Sequence, residues 1–197
     1  MAGFLVLHGW RNRQPPDHWH HLLVDALRSA GHDVAYPQLP DPDKPDLDAW
    51  LAAFAAELPA LPRDAERVVV AHSLGCLLWW QAAARGLIDP PVDRVLLVAP
   101  PSPEVTRAHK EMAGFDLPAG VRAEQVSAAS RTVTRLVCSD GDEYAPGGAD
   151  TAYAGRFRLD VDRLSGQAHI NPDSGYGDWP SVLAWCSEPT TRLVART

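Results

Sequence analysis

The chain has 197 residues, 46% of them hydrophobic and 22% charged, with a formal net charge of −7 and a pI near 5.5. That length predicts one domain with a core large enough to need neither disulfides nor metal. The acidic balance excludes nucleic acid and an anionic membrane surface as main partners. The three Cys (Cys76, Cys138 and Cys186) include no CxxC pair. Cys76, in the elbow helix, and Cys138, at a strand end, read as small buried hydrophobes, and the setting as reducing and cytoplasmic. No apolar run approaches membrane-spanning length, and the apolar stretch Phe4 to Leu7 reads as a strand rather than a cleavable leader. The 18 Pro cluster in connections such as Pro15-Pro16 and Pro100-Pro101, which predicts stiff loops.

Gly3 to Leu7 is a continuous apolar strand bounded by His8-Gly9-Trp10. A strand apolar on both faces belongs inside a parallel sheet. Asp17 is placed to cap a helix in which Trp19, Leu22, Leu23, Ala26 and Leu27 recur at helical spacing, ended by Gly31. Asp33 to Tyr36 is a short strand, and a Pro-rich loop follows to Asp46. Leu47, Trp50, Leu51, Phe54 and Leu58 mark a second helix, stopped by Pro59 and Pro62. Val68-Val69-Val70 is a β-branched strand. Leu74 to Arg85 is a Pro-free helix, apolar nearly all round and therefore buried.

Arg94 to Ala99 is another buried strand, and Pro100 to Ser130 carries only weak helical patches. Thr132 to Cys138 is a strand, Ser139 to Pro146 an acidic loop, and Ala149 to Phe157 a short helix. Arg158 to Leu164 alternates like an edge strand, and Gly166 to Gly177 is a polar loop. Asp178 is placed to cap a last helix through Trp185, with Pro180 in its first turn. Strands alternate with helices throughout. The expected fold is α/β: a single doubly wound, mostly parallel sheet of about six strands, with helices on both faces. Residues 1–188 form the domain, and 189–197 are expected to be a loose tail.

Between the Val run and the buried helix lies Ala71-His72-Ser73-Leu74-Gly75. A strand that turns at once into a helix with Ser at the turn and small flanking residues is a nucleophile elbow. A Ser hydroxyl needs a base. His169, in the loop after the last strand, is the candidate; an acid behind it would hold the correct tautomer. Asp142 is preferred for that part because it lies further past the strand end than its rival Asp140. The chain order is then Ser, acid, His. The oxyanion donors are expected to be the backbone N–H groups of Leu74, just after the nucleophile, and Trp10, in the loop after the first strand. Gly9 lets that loop approach closely. His72 rivals His169 as base, but its neighbour is the nucleophile itself, so its ring should point elsewhere. His18, His20 and His21 invite a metal reading. Positions 18 and 20 face different sides of a helix and lack acidic or Cys partners, so they are expected at the surface and rim.

Leu7-His8-Gly9-Trp10, Asp17-His18-Trp19, Ala71-His72-Ser73-Leu74-Gly75 and the long run His169-Ile170-Asn171-Pro172-Asp173-Ser174-Gly175-Tyr176-Gly177-Asp178-Trp179-Pro180 resemble the small serine hydrolases related to retinoblastoma-binding protein nine. The resemblance spans nearly the whole chain. It departs at Ala168, where a Gly often precedes the His, and in an acid loop that carries an extra Asp. It implies a minimal α/β-hydrolase fold without a large lid, and a triad of Ser73, Asp142 and His169. No cofactor and no metal is expected. The expected partner is a small acyl substrate, and the expected activity is carboxylesterase-like, on esters before amides. The competing expectation is a catalytically weak protein of the same fold that works through protein–protein contacts.

Overall fold

The computed structural model describes residues 1–196. Six strands form one sheet: β1 (Ala2–Leu7), β2 (Asp33–Ala35), β3 (Glu66–His72), β4 (Arg94–Val98), β5 (Arg135–Ser139) and β6 (Asp160–Leu164). Seven α-helices connect and follow them: α1 (Trp19–Ser29), α2 (Leu47–Glu57), α3 (Leu74–Ala84), α4 (Pro103–Ala108), α5 (Ala123–Ser127), α6 (Ala149–Phe157) and α7 (Pro180–Ser187). The strand order is β2-β1-β3-β4-β5-β6, and every neighbouring pair is parallel.

The strand residues explain the layering. Leu5 and Leu7, Val69 and Ala71, and Leu97 face one apolar layer; Phe4 and Val6, Val68 and Val70, and Leu96 and Val98 face the other. Alternation along a strand sends successive side chains to opposite faces. With both faces apolar, both must be covered. Helices α2, α3, α5 and α6 cover the first face, and α1 and α7 the second. Leu74 to Ala83 of α3 are all buried, as its uniform apolarity requires. Trp79 and Trp80 lie fully inside this core. All three Cys are buried and unpaired. Among the described residues no helix is long and apolar enough to cross a membrane.

The chain steps from β1 outward to β2, then returns across β1 to start β3. The direction of winding therefore reverses between β1 and β3, and a crevice opens at their carboxyl ends. Gly75 makes the approach possible there: a Cβ at this position would lie 2.7 Å from the Leu7 carbonyl oxygen and 2.8 Å from that of His8.

Four local expectations are corrected. The α1 cap is His18, not Asp17: its Nδ1 accepts the His20 N–H at 3.1 Å. The α7 cap position is Trp179, not Asp178, and it makes no side-chain cap bond. Burial of the Trp179 indole, whose Nε1–H donates to the Val194 carbonyl, sets that boundary instead. The strand expected from Thr132 begins at Arg135, because Val133 is exposed and the Thr132 hydroxyl donates to the Asp93 carbonyl. The segment expected as a loose tail is docked through 196. Leu193 is buried and its N–H donates to Asp162, while Arg192 pairs with Asp160 and Asp162. The tail thus covers β6, which would otherwise be a bare sheet edge.

Candidate active site

Strand β3 delivers Ser73 to the crevice. Its backbone sits at φ 54°, ψ −124°, a conformation that L residues rarely adopt and that persists only where the surroundings impose it. The surroundings here are the Ser73 N–H bond to the Val98 carbonyl at 2.9 Å and the start of α3 one residue later. The side chain is thereby lifted out of the sheet. Gly9 of the β1 loop runs directly against it; a Cβ there would lie 2.7 Å from the Ser73 Cβ and 3.1 Å from its Oγ.

Ser73 Oγ lies 2.9 Å from His169 Nε2. His169 Nδ1 lies 3.0 Å from each carboxylate oxygen of Asp142. All three side chains are buried. A carboxylate only accepts, so Nδ1 carries the proton and Nε2 is left free to accept from the Ser hydroxyl. Asp142 is itself held by the Tyr144 N–H, which donates to Oδ1 at 2.9 Å. The Tyr144 ring packs on the His169 ring, with centroids 4.4 Å apart.

Asp140 is elsewhere. It is exposed, and its carboxylate accepts from the Gly166 N–H and, at 3.0 Å, from the Ser165 hydroxyl. These bonds hold its carboxyl below the usual carboxylate range. It secures the turn that leads into His169 rather than the imidazole. His72 does not approach the Ser hydroxyl as a base; its Nε2–H donates to the His169 carbonyl at 2.9 Å. Leu74 opens α3 directly after Ser73, and Trp10 lines the same cleft as Ser73. The Trp10 loop is held by His8, whose Nδ1–H donates to the Gly9 carbonyl while Nε2 accepts from the Leu39 N–H.

The cleft above Ser73 has a volume of about 450 Å³, and its rim includes Arg11, Asp17 and Asp173. Asn171 and Ser174 lock its far wall by a reciprocal pair of caps around Pro172–Ser174, and Gly175 then turns at φ 82°. This is the local reason for the unusual Asn-Pro-Asp-Ser-Gly run after His169.

His18 and His20, expected at the surface, are buried beside the site, and only His21 is partly exposed. The start of α1 turns both rings inward against His72, with centroids 5.4 and 5.6 Å away. Among the described residues neither ring nitrogen of His20 has a hydrogen-bond partner. Neighbouring aromatic residues do signal burial in the sequence, but only the packing of α1 on the sheet reveals the direction. Among the described residues no three His, Cys, Asp or Glu side chains converge on a position for a metal ion.

Burial depresses the imidazole pKa values, to about 4 at His8 and about 3 at His18, and well below the ordinary value at His20 and His72. The unfolded chain would take up protons near pH 6.5 while the folded chain does not. Stability is therefore full above about pH 6.5 and falls as the pH drops through that value toward the folded pKa values. Each such His removes up to about 1.4 kcal/mol per pH unit once its unfolded form is protonated. Urea unfolding at pH 7.5 and pH 5.0, before the carboxylates titrate, should show a loss of several kcal/mol; equal midpoints would contradict this account.

A protein-family model described as "Serine hydrolase" matches residues 4–188. Solved structures share the fold. The ydeN gene product of Bacillus subtilis superposes with a TM-score of 0.81 at 18% identity, over 95% of this chain and 97% of that one. A YdeN-like hydrolase from Pectobacterium atrosepticum gives 0.72 at 21% identity, over 95% and 90%. The methylesterase MES16 from Arabidopsis gives 0.64 at 15% identity, over 96% and 98%. A comparison with curated proteins finds no match. With the elbow, the parallel sheet and the family match in agreement, this chain belongs to the serine hydrolase family, with the α/β-hydrolase fold.

Proposed function

We propose that the protein hydrolyses small carboxylic esters through an acyl-enzyme on Ser73. The supporting observation is the continuous hydrogen-bonded line from Ser73 Oγ through His169 to Asp142, with links of 2.9 and 3.0 Å. His169 takes the Ser73 proton as Oγ attacks the ester carbonyl, then passes it to the leaving alkoxide. Asp142 holds the tautomer and stabilises the imidazolium. The Trp10 and Leu74 N–H groups would receive the oxyanion, and the positive end of α3 at Leu74 favours charge there. Water, activated by the same imidazole, releases the acid.

The cleft suits small acyl and leaving groups. Its volume of about 450 Å³ lies in the range for small-molecule sites. Among the described residues, the stretch between β4 and β5 holds the short helices α4 and α5 and one 3-10 turn at Ala113–Phe115, none longer than six residues, which is too little for a large cap over Ser73.

The test is covalent labelling. A fluorophosphonate probe should add one equivalent of mass to the protein, and peptide mapping should place it on Ser73. A panel of short-chain aryl and alkyl esters should be turned over by the same preparation. Absence of both labelling and turnover would favour the competing reading of a catalytically weak protein acting through protein contacts.

A further inference from the structure

His169 occupies a strained position. It sits between two non-glycine residues in the left-handed region, Ala168 at φ 47° and Ile170 at φ 52°. Such a segment holds its shape only where neighbours over-determine it. Two buried donors from distant parts of the chain reach consecutive carbonyls of this segment. His72 Nε2–H, at the end of β3, donates to the His169 carbonyl at 2.9 Å. Trp19 Nε1–H, at the start of α1, donates to the Ile170 carbonyl at 2.9 Å. The two rings pack edge to face at 5.8 Å, so each donor is braced by the other. A carbonyl can only accept, which fixes the His72 proton on Nε2.

We propose that His72 is a positioning residue for the base. Its N–H, backed by Trp19, clamps the backbone of His169 so that Nε2 stays within reach of Ser73 Oγ. This rests on the reading of Ser73 and His169 as nucleophile and base. The residue that immediately precedes the nucleophile thereby sets where the base stands. The distance between the reacting groups is governed through a single backbone step, not across the whole sheet. Misplacing reacting groups by about 1 Å can cost on the order of 100-fold in rate.

The experiment compares His72→Leu, which removes the donor, with His72→Gln, whose terminal amide can present an N–H at similar reach. For a test ester, His72→Leu should lower kcat about 10- to 100-fold with KM changed less than about two-fold, and His72→Gln should recover most of the loss. The low-field proton resonance of the His169 Nδ1–H, bonded to Asp142, should persist in His72→Gln and broaden or vanish in His72→Leu. Equal damage in the two variants, or wild-type kcat in His72→Leu, would overturn the proposal. Should His72→Leu not fold, Trp19→Phe decides: it removes the second donor and keeps a ring, and an unchanged kcat refutes the clamp. A wild-type protein that the probe leaves unlabelled at Ser73 would overturn the underlying functional reading; a labelled protein with insensitive His72 variants would overturn the clamp alone.

Discussion

Ser73→Ala is expected to lower kcat on a test ester about 10⁶-fold while leaving the fold intact. The side-chain oxygen bonds only to His169 among the described residues, so its removal orphans no buried backbone group. The left-handed backbone at Ser73 is imposed by the elbow, and a Cβ is already accommodated there beside Gly9. Some acceleration over water should survive, because the Trp10 and Leu74 N–H groups and the cleft are untouched; in related chemistry that residue is about 10³- to 10⁴-fold. Steady-state kinetics, with thermal unfolding as the control for folding, checks this. Retention of more than about 1% of kcat would remove Ser73 from the mechanism.

Asp142→Asn should lower kcat about 10⁴-fold, whereas Asp140→Asn should change it by less than about ten-fold. The contrast follows from what each carboxylate touches. Asp142 is buried and presents both oxygens to His169 Nδ1 at 3.0 Å. An amide there offers an N–H to the imidazole, which favours the tautomer that puts the proton on Nε2, where it blocks attack by Ser73. Asp140 is exposed and bonds to Ser165 and Gly166, and an Asn keeps one acceptor for that turn. Parallel kinetic measurements on the two variants settle which acid serves the base; a large loss in Asp140→Asn with near-normal Asp142→Asn would reverse the assignment.

Much of the fold is legible along the chain because its cause is local. The Val68-Val69-Val70 run and the Gly3 to Leu7 run are apolar on both faces, and they are central neighbours in the parallel sheet. Ala149 to Phe157 is the helix expected from its composition, and the alternating stretch before Leu164 is indeed the edge strand. The elbow is legible for the same reason: strand propensity, a small-residue turn and helix propensity follow one another within a few residues. The chain order of Ser73, Asp142 and His169 also lies in the sequence, since strand ends collect functional groups in such a sheet.

The errors share a physical origin. His18 and His20 look polar and peripheral until α1 packs on the sheet and turns them toward His72. The last residues look loose until Asp162, buried on β6, needs Arg192 and the Leu193 N–H. In both cases a long-range partner decides burial, and nothing in the local sequence names that partner.

The same division runs through the site. The sequence by itself determined that a Ser would stand at a strand-to-helix turn with an acid and a His available downstream, because propensity and spacing are properties of short stretches. Only the tertiary structure decided which acid faces the imidazole, that the His169 loop is left-handed on both sides, and that His72 and Trp19 donate to its carbonyls. The acid contact joins positions 27 residues apart, and the His72 and Trp19 bonds join positions 97 and 151 apart; such distances are set by how layers pack.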